Sequence, residues 1–99
     1  MDKTKYYIYC LEFPDEYNEK TGNRDATLRY IGKTNDLKRR WREHRKGNSS
    51  ATRQRDWDKC RFILEDIGNK DNIKELEQKW IDYYGGVSQL LNRNNARSL

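Results

Sequence analysis

Apolar residues fall in short dense runs separated by polar stretches, and their spacing changes from run to run. Lys5 to Phe13 (KYYIYCLEF) is apolar or aromatic at nearly every position, which predicts a strand covered on both faces and ended by Pro14. Residues 14–26 are mostly polar and contain the turn signal Gly22-Asn23. They read as the long loop of a hairpin whose return strand is Thr27 to Ile31, closed by Gly32. A helix follows, with Thr34 or Asn35 as N-cap, Asp36 in the first turn, Arg45 and Lys46 in the last, and Gly47 beyond. Gly47 to Ser50 is a loop, residues 51–58 form a short basic helix or turn, and Cys60 to Glu65 is a third strand closed by Gly68-Asn69. The final helix runs from about Asp71 to Tyr84 and stops at Gly85-Gly86. The expected fold is α+β: a small three-stranded antiparallel sheet flanked by helices. It forms a single domain over residues 1–99, with a core of about 5–92 and a flexible tail from 93 to 99.

Composition sharpens this picture. Hydrophobic residues make up only 33% of the 99 positions and charged residues 37%, close to where a chain fails to fold. Seven Tyr, three Trp and two Phe compensate, because each buried aromatic removes roughly 150–250 Å² from water. The net charge of +5 is unevenly spread: residues 33–61 hold 11 Lys or Arg against 4 Asp or Glu, with Trp41 and Trp57 interleaved. That is the pattern of a phosphate-backbone contact, although a solvated basic helix has the same composition. No apolar run approaches the ~20 residues of a membrane helix, and Met1 to Lys5 is too charged for a signal peptide. An intracellular, cytoplasmic protein (nucleoid-associated or equivalent) is expected rather than a secreted one. Cys10 and Cys60 read as reduced thiols, and one histidine cannot complete a zinc set.

Three constellations could carry chemistry. At roughly 100° per residue, Ile73, Leu76, Trp80, Ile81 and Tyr84 form one apolar stripe on the last helix, and Glu77 falls inside it while Glu75 faces away. A carboxylate on a core face needs a cation, a metal ion or a proton; an arginine across the fold would serve as well as a metal. Arg40 and His44, spaced i, i+4, share one face of the first helix beside Leu37 and Trp41, whereas Arg39, Arg42 and Arg45 point elsewhere. Tyr7 and Tyr9 share a strand face, and Tyr30 closes the partner strand just before Gly32 and Lys33. A phenol is a poor base at its reference pKa of about 10 and needs a cation such as Lys33 or Arg40 beside it; plain aromatic packing is the simpler role.

In this order the pieces resemble the GIY-YIG nuclease domain family. Tyr7-Ile8-Tyr9 matches its first signature and Tyr30-Ile31-Gly32 its second, the latter running into Lys33 to His44. Glu77-Gln78-Lys79-Trp80-Ile81 looks like the family's metal-binding glutamate segment, and Leu91-Asn92 like its closing asparagine. The resemblance spans residues 6–92. It implies hydrolysis of a nucleic-acid phosphodiester with one divalent metal, Mg²⁺ or Mn²⁺ in its place, held by Glu77. It further implies Tyr9 as base or water-positioning group helped by Lys33, Tyr30 ordering water or phosphate, and Arg40 holding the scissile phosphate. His44 competes with Tyr9 for the base role, and Asn92 braces the site. Lys38, Arg39, Arg42, Arg45, Lys46, Arg53 and Arg55 would meet the nucleic-acid backbone.

Two departures stand out: Tyr7 replaces the usual glycine of the first signature, and the spacing from Tyr9 to Tyr30 is longer than the family's, which makes residues 14–26 a lid or contact arm. The leading reading is a DNA endonuclease, with RNA left open as substrate and with a monomer or a transient dimer acting on it. The alternatives are a catalytically inactive nucleic-acid-binding module of the same fold, and a domain whose basic helix meets an acidic protein. The last leaves Glu77 unexplained.

Overall fold

Strand β1 (Tyr6–Pro14) runs through the middle of the sheet, and every residue from Ile8 to Phe13 is buried, as its apolar pattern predicts for all but Glu12. The computed structural model describes residues 3–14, 17–18, 23–24, 27–47, 52, 55–92 and 94–96. The remaining elements are β2 (Tyr17–Asn18), β3 (Asn23–Arg24), β4 (Thr27–Thr34), α1 (Leu37–Arg45), β5 (Arg61–Gly68), α2 (Ile73–Tyr83) and a 3₁₀ turn at Val87–Gln89. Strands β4 and β5 pair antiparallel on either side of β1, giving the expected three-stranded α+β fold in the order β4-β1-β5.

Boundaries differ from the sequence reading in places, each for a local reason. The hairpin loop carries a small ladder of its own, Tyr17 opposite Arg24 and Asn18 opposite Asn23. Gly32 does not close β4; the strand continues to Thr34 because Tyr9, Ile8 and Tyr7 offer it ladder partners. Its lack of a side chain matters instead for contact, since a Cβ there would overlap the Tyr9 ring. The N-cap of α1 is Asp36, extended at φ −146° and accepting from the Arg39 amide at 3.0 Å. Thr34 stands one step back: its hydroxyl accepts from the Asp36 amide at 3.0 Å and fixes the entry to the helix.

Strand β5 extends to Gly68, and its pairing with β1 shifts register between Ile8 and Tyr9. Helix α2 starts two residues later than expected, after a turn in which the Asn69 carbonyl accepts from Asn72 and Ile73 amides. It ends as predicted, with Gly85 and Gly86 at φ 100° and 85° and the Gly86 amide returning to Ile81 at 2.9 Å. Of residues 51–58, the described part forms a turn at Trp57–Asp58, while 51, 53 and 54 lie outside the described residues. In the tail, Asn95 and Ala96 both hydrogen-bond to Gln78 of α2.

Strand alternation sorts the core into two chemistries. Toward α1 lie Tyr9, Leu11, Phe13 and Leu28, with Tyr30, Trp41, Trp57 and Phe62 packed against them. Toward α2 lie Ile8, Cys10, Ile31, Ile73, Ile81 and Leu90. Glu12 is also buried and pairs with Arg29 at 2.8 Å and Arg61 at 3.0 Å, an arrangement the one-dimensional pattern did not signal. Cys10 is buried, Cys60 is half-buried, and both are free thiols. Among the described residues no helix is long and apolar enough to cross a membrane.

Candidate active site

The side chains singled out on α1 and β1 meet in a sealed chain of hydrogen bonds. Tyr9 projects from the centre of β1 toward α1, and the i, i+4 spacing of Arg40 and His44 aims both at its hydroxyl. The phenol oxygen lies 2.7 Å from His44 Nε2 and 3.3 Å from Arg40 Nε, which donates to it. His44 Nδ1 lies 2.9 Å from the Thr52 hydroxyl. Tyr9, His44 and Thr52 are all 0% exposed. Phe62 stacks flat on Tyr9 at 5.2 Å, and the Tyr30 ring meets the His44 ring edge-on at 5.1 Å.

Electrostatics gives each member a definite state. Burial pushes the Tyr9 phenol far above its ordinary value, assisted by Tyr30 and opposed by the Arg40 charge, so it is protonated at neutral pH. Burial, and then the Arg40 charge, pushes His44 down to about 4, so its imidazole is neutral and one ring nitrogen accepts. Burial disfavours the Arg40 cation, but contact with Tyr9 and a 3.2 Å bond to Glu43 outweigh it and keep the guanidinium charged. Arg40 is thus the cation at the phenol. Lys33, the other candidate for that role, lies on the opposite face and donates to Glu77 Oε1 at 3.0 Å.

Glu77 is buried in the apolar stripe of α2, as its helical position indicates, and the compensating cation is Lys33 rather than an arginine. Its charge is the least of the influences on the Tyr9 phenol and pushes it further up. Among the described residues no group of three His, Cys, Asp or Glu could hold a metal ion. A lone carboxylate suits only a hard cation such as Mg²⁺, which keeps most of its waters and takes further ligands from substrate. Asn92 holds the backbone of Ile31 at both ends, accepting from its amide at 2.9 Å and donating to its carbonyl at 2.7 Å. With the Leu91 amide on the Arg29 carbonyl, it ties the C-terminal segment along the outer edge of β4 and fixes the strand that carries Tyr30 and Lys33.

The basic residues of α1 spread outward. Lys38, Arg39, Arg42, Arg45 and Lys46 are exposed, Arg55 is half-buried, and Arg53 lies outside the described residues. Arg45 sits over the Trp41 ring at 5.7 Å, and Arg39 donates to Asn35 at 3.1 Å. Beside them a cavity of about 250 Å³ is lined by Leu37, Lys38, Trp41 and Phe62. Sequence reasoning missed Thr52, Glu43 and Phe62. Thr52 sits in a polar stretch with no periodicity, so nothing in one dimension marks it. Phe62 was legible only as a strand residue.

The family model of the GIY-YIG catalytic domain matches residues 5–92. Neither the curated proteins nor the solved structures gave a match.

Proposed function

From the premise that the chain belongs to the GIY-YIG nuclease family, whose domain is of nuclease type and acts on nucleic acids, we propose that it is a metal-dependent DNA endonuclease. The observation that carries this reading is the continuous contact of a fixed cation, a hydroxyl and a neutral imidazole, Arg40 to Tyr9 to His44, within electrostatic range of Glu77. An aromatic brace alone would not need a charged donor and a neutral acceptor on the same phenol.

In this mechanism Arg40 turns part of its donor fork to a non-bridging phosphate oxygen and stabilises the charge that builds on it in the transition state. As the part-exposed Arg40 swings toward the phosphate it uncovers the phenol oxygen, and Tyr9 takes a proton from the attacking water as its own proton passes to His44 Nε2, so no free phenolate forms. The new hydroxide bonds to phosphorus, the bond from phosphorus to the leaving oxygen breaks, and that oxygen takes a proton from solvent. His44 later releases its extra proton. Tyr30 orders the water or the phosphate, and Lys33 holds the Glu77 carboxylate in place. Glu77 would hold Mg²⁺, or Mn²⁺ in its place, which supplies Lewis-acid stabilisation of phosphate charge. Lys38, Arg39, Arg42, Arg45 and Lys46 carry the backbone of the duplex past the site. A monomer, or a dimer formed on the substrate, suffices for this chemistry.

One observation favours a second reading, a nucleic-acid-binding module without turnover: the Tyr9 hydroxyl is wholly buried, with its acidity suppressed. A panel of plasmid, single-stranded, branched and RNA substrates incubated with Mg²⁺, Mn²⁺ or chelator separates the two. Metal-dependent nicking or cutting of DNA is the expected result. Salt-sensitive binding with no product under any metal would establish the non-cutting module, and metal-independent cutting would overturn the mechanism.

A further inference from the structure

We infer that Thr52 is a positioning residue for the proposed nuclease reaction: its hydroxyl accepts the His44 Nδ1–H and so holds the imidazole in the one tautomer whose Nε2 can take the Tyr9 proton. The inference rests on the functional reading above and adds a residue outside both signature segments.

The protons around Tyr9 lead to this assignment. The phenol oxygen is 0% exposed and has two hydrogen-bond partners, Arg40 Nε at 3.3 Å and His44 Nε2 at 2.7 Å. An arginine can only donate, so the phenol accepts from Arg40 and has its own O–H left to place. Among the described residues only His44 Nε2 is within reach. If Nε2 carried a proton, two donors would converge on the phenol oxygen and the buried O–H would point at nothing, which costs roughly 1–3 kcal/mol. A charged donor on the oxygen also makes the phenol O–H a stronger acid than the alcohol of Thr52. Tyr9 therefore donates to Nε2, and the proton of the neutral ring sits on Nδ1.

Nδ1 is 2.9 Å from Thr52 Oγ1, and both residues are 0% exposed. Among the described residues the other groups facing the ring are Tyr30 at 5.1 Å, Trp57 at 6.3 Å and, from its own helix, Arg40. None of these is a hydrogen-bond acceptor for Nδ1, so among the described residues the Thr52 oxygen is the acceptor that keeps the proton on Nδ1 once Tyr9 donates to Nε2. When the Tyr9 proton crosses to Nε2, the imidazolium formed keeps its Nδ1–H on the Thr52 oxygen, and that contact strengthens as the ring gains charge. Thr52 thus acts on His44 as an orienting acceptor acts on a general base, without touching substrate.

The chain has one histidine, so ¹⁵N resonances of a histidine-labelled sample report His44 without ambiguity. The wild-type protein near pH 7 is expected to show a protonated Nδ1 and an unprotonated Nε2. Thr52→Val should shift the ring toward the Nε2–H form and lower kcat roughly 10–100-fold with KM little changed, and Thr52→Ser should restore both. An Nε2–H ring in the wild type, or a tautomer and kcat indifferent to Thr52→Val, overturns the inference. If Thr52→Val fails to fold, the wild-type and Thr52→Ser spectra still decide, since a protonated Nε2 in either refutes it. If no substrate is cut, the nuclease reading fails while the spectra still test the hydrogen-bond assignment.

Discussion

The two faces of the sheet solve the same problem, a polar group inside a small core, in opposite ways. Toward α1 the polar atoms form a line of mostly neutral hydrogen bonds among aromatic rings, with Arg40 as the only charge touching it among the described residues. Toward α2 the fully buried residues are mostly aliphatic and the buried carboxylates are ion-paired, Glu77 with Lys33 and Glu12 with Arg29 and Arg61, while Trp80 and Tyr84 at the margin donate to Asp66 and Glu65. A chain of neutral groups offers a route for a proton, whereas a carboxylate held by a lysine keeps a fixed charge compensated inside the core. The faces are joined where Gly32 and Lys33 follow each other on β4, one under the Tyr9 ring and the next reaching Glu77. In the proposed mechanism function divides along the same line, with proton transfer and phosphate recognition assigned to one face and metal holding to the other.

The sharpest break in that division comes from removing one charged group on each face. Arg40→Ala and Glu77→Ala should each lower cleavage by at least about 100-fold, the scale of losing a transition-state charge contact. They should differ in rescue: higher Mn²⁺ should recover some activity only where Glu77, the group that would hold the metal, is missing. Equal rescue, measured as nicking rate against metal concentration, would show that the two faces do not have separate roles.

A smaller effect tests the junction. Gly32→Ala places a methyl group where the Tyr9 ring lies and should cost on the order of 3 kcal/mol of stability, read as a lower urea midpoint. An unchanged midpoint would mean that the ring does not rest on this glycine.

Smallest is a pH effect confined to the α1 face. His44 is held at about 4 when folded against an ordinary value of 6.5, so the unfolded chain binds the extra proton first. Its contribution is fully present above pH 6.5 and is lost as pH falls through 4, amounting to roughly 2 kcal/mol between pH 7 and 4. His44→Asn should flatten the stability curve in that window, as measured by urea melts at each pH. A curve of unchanged slope would place the acid sensitivity among the carboxylates instead.

Much of this was legible in the residues themselves. The nearly unbroken apolar run of β1, the end glycines of the helices, and the i, i+4 pair Arg40–His44 follow from local sterics and periodicity, which a single chain displays. The position of Glu77 inside an apolar stripe exposed it as a carboxylate needing compensation before any contact was known. What compensates it was not legible, because Lys33 and Arg40 are both basic residues near Tyr30, and only the alternation of β4 sends Lys33 to the α2 side. Nor was the state of Tyr9, since the cost of burial depends on how completely Phe62, Tyr30 and His44 enclose it. Thr52 and the Glu12 pairs lie furthest from sequence reasoning: their partners are 8, 17 and 49 positions away, and nothing in a residue's own neighbourhood encodes a contact across the sheet or back from a loop. The elements were thus set by local geometry and pattern, whereas the direction of each proton and the partner of each charge were decided only when packing chose which groups lost contact with water.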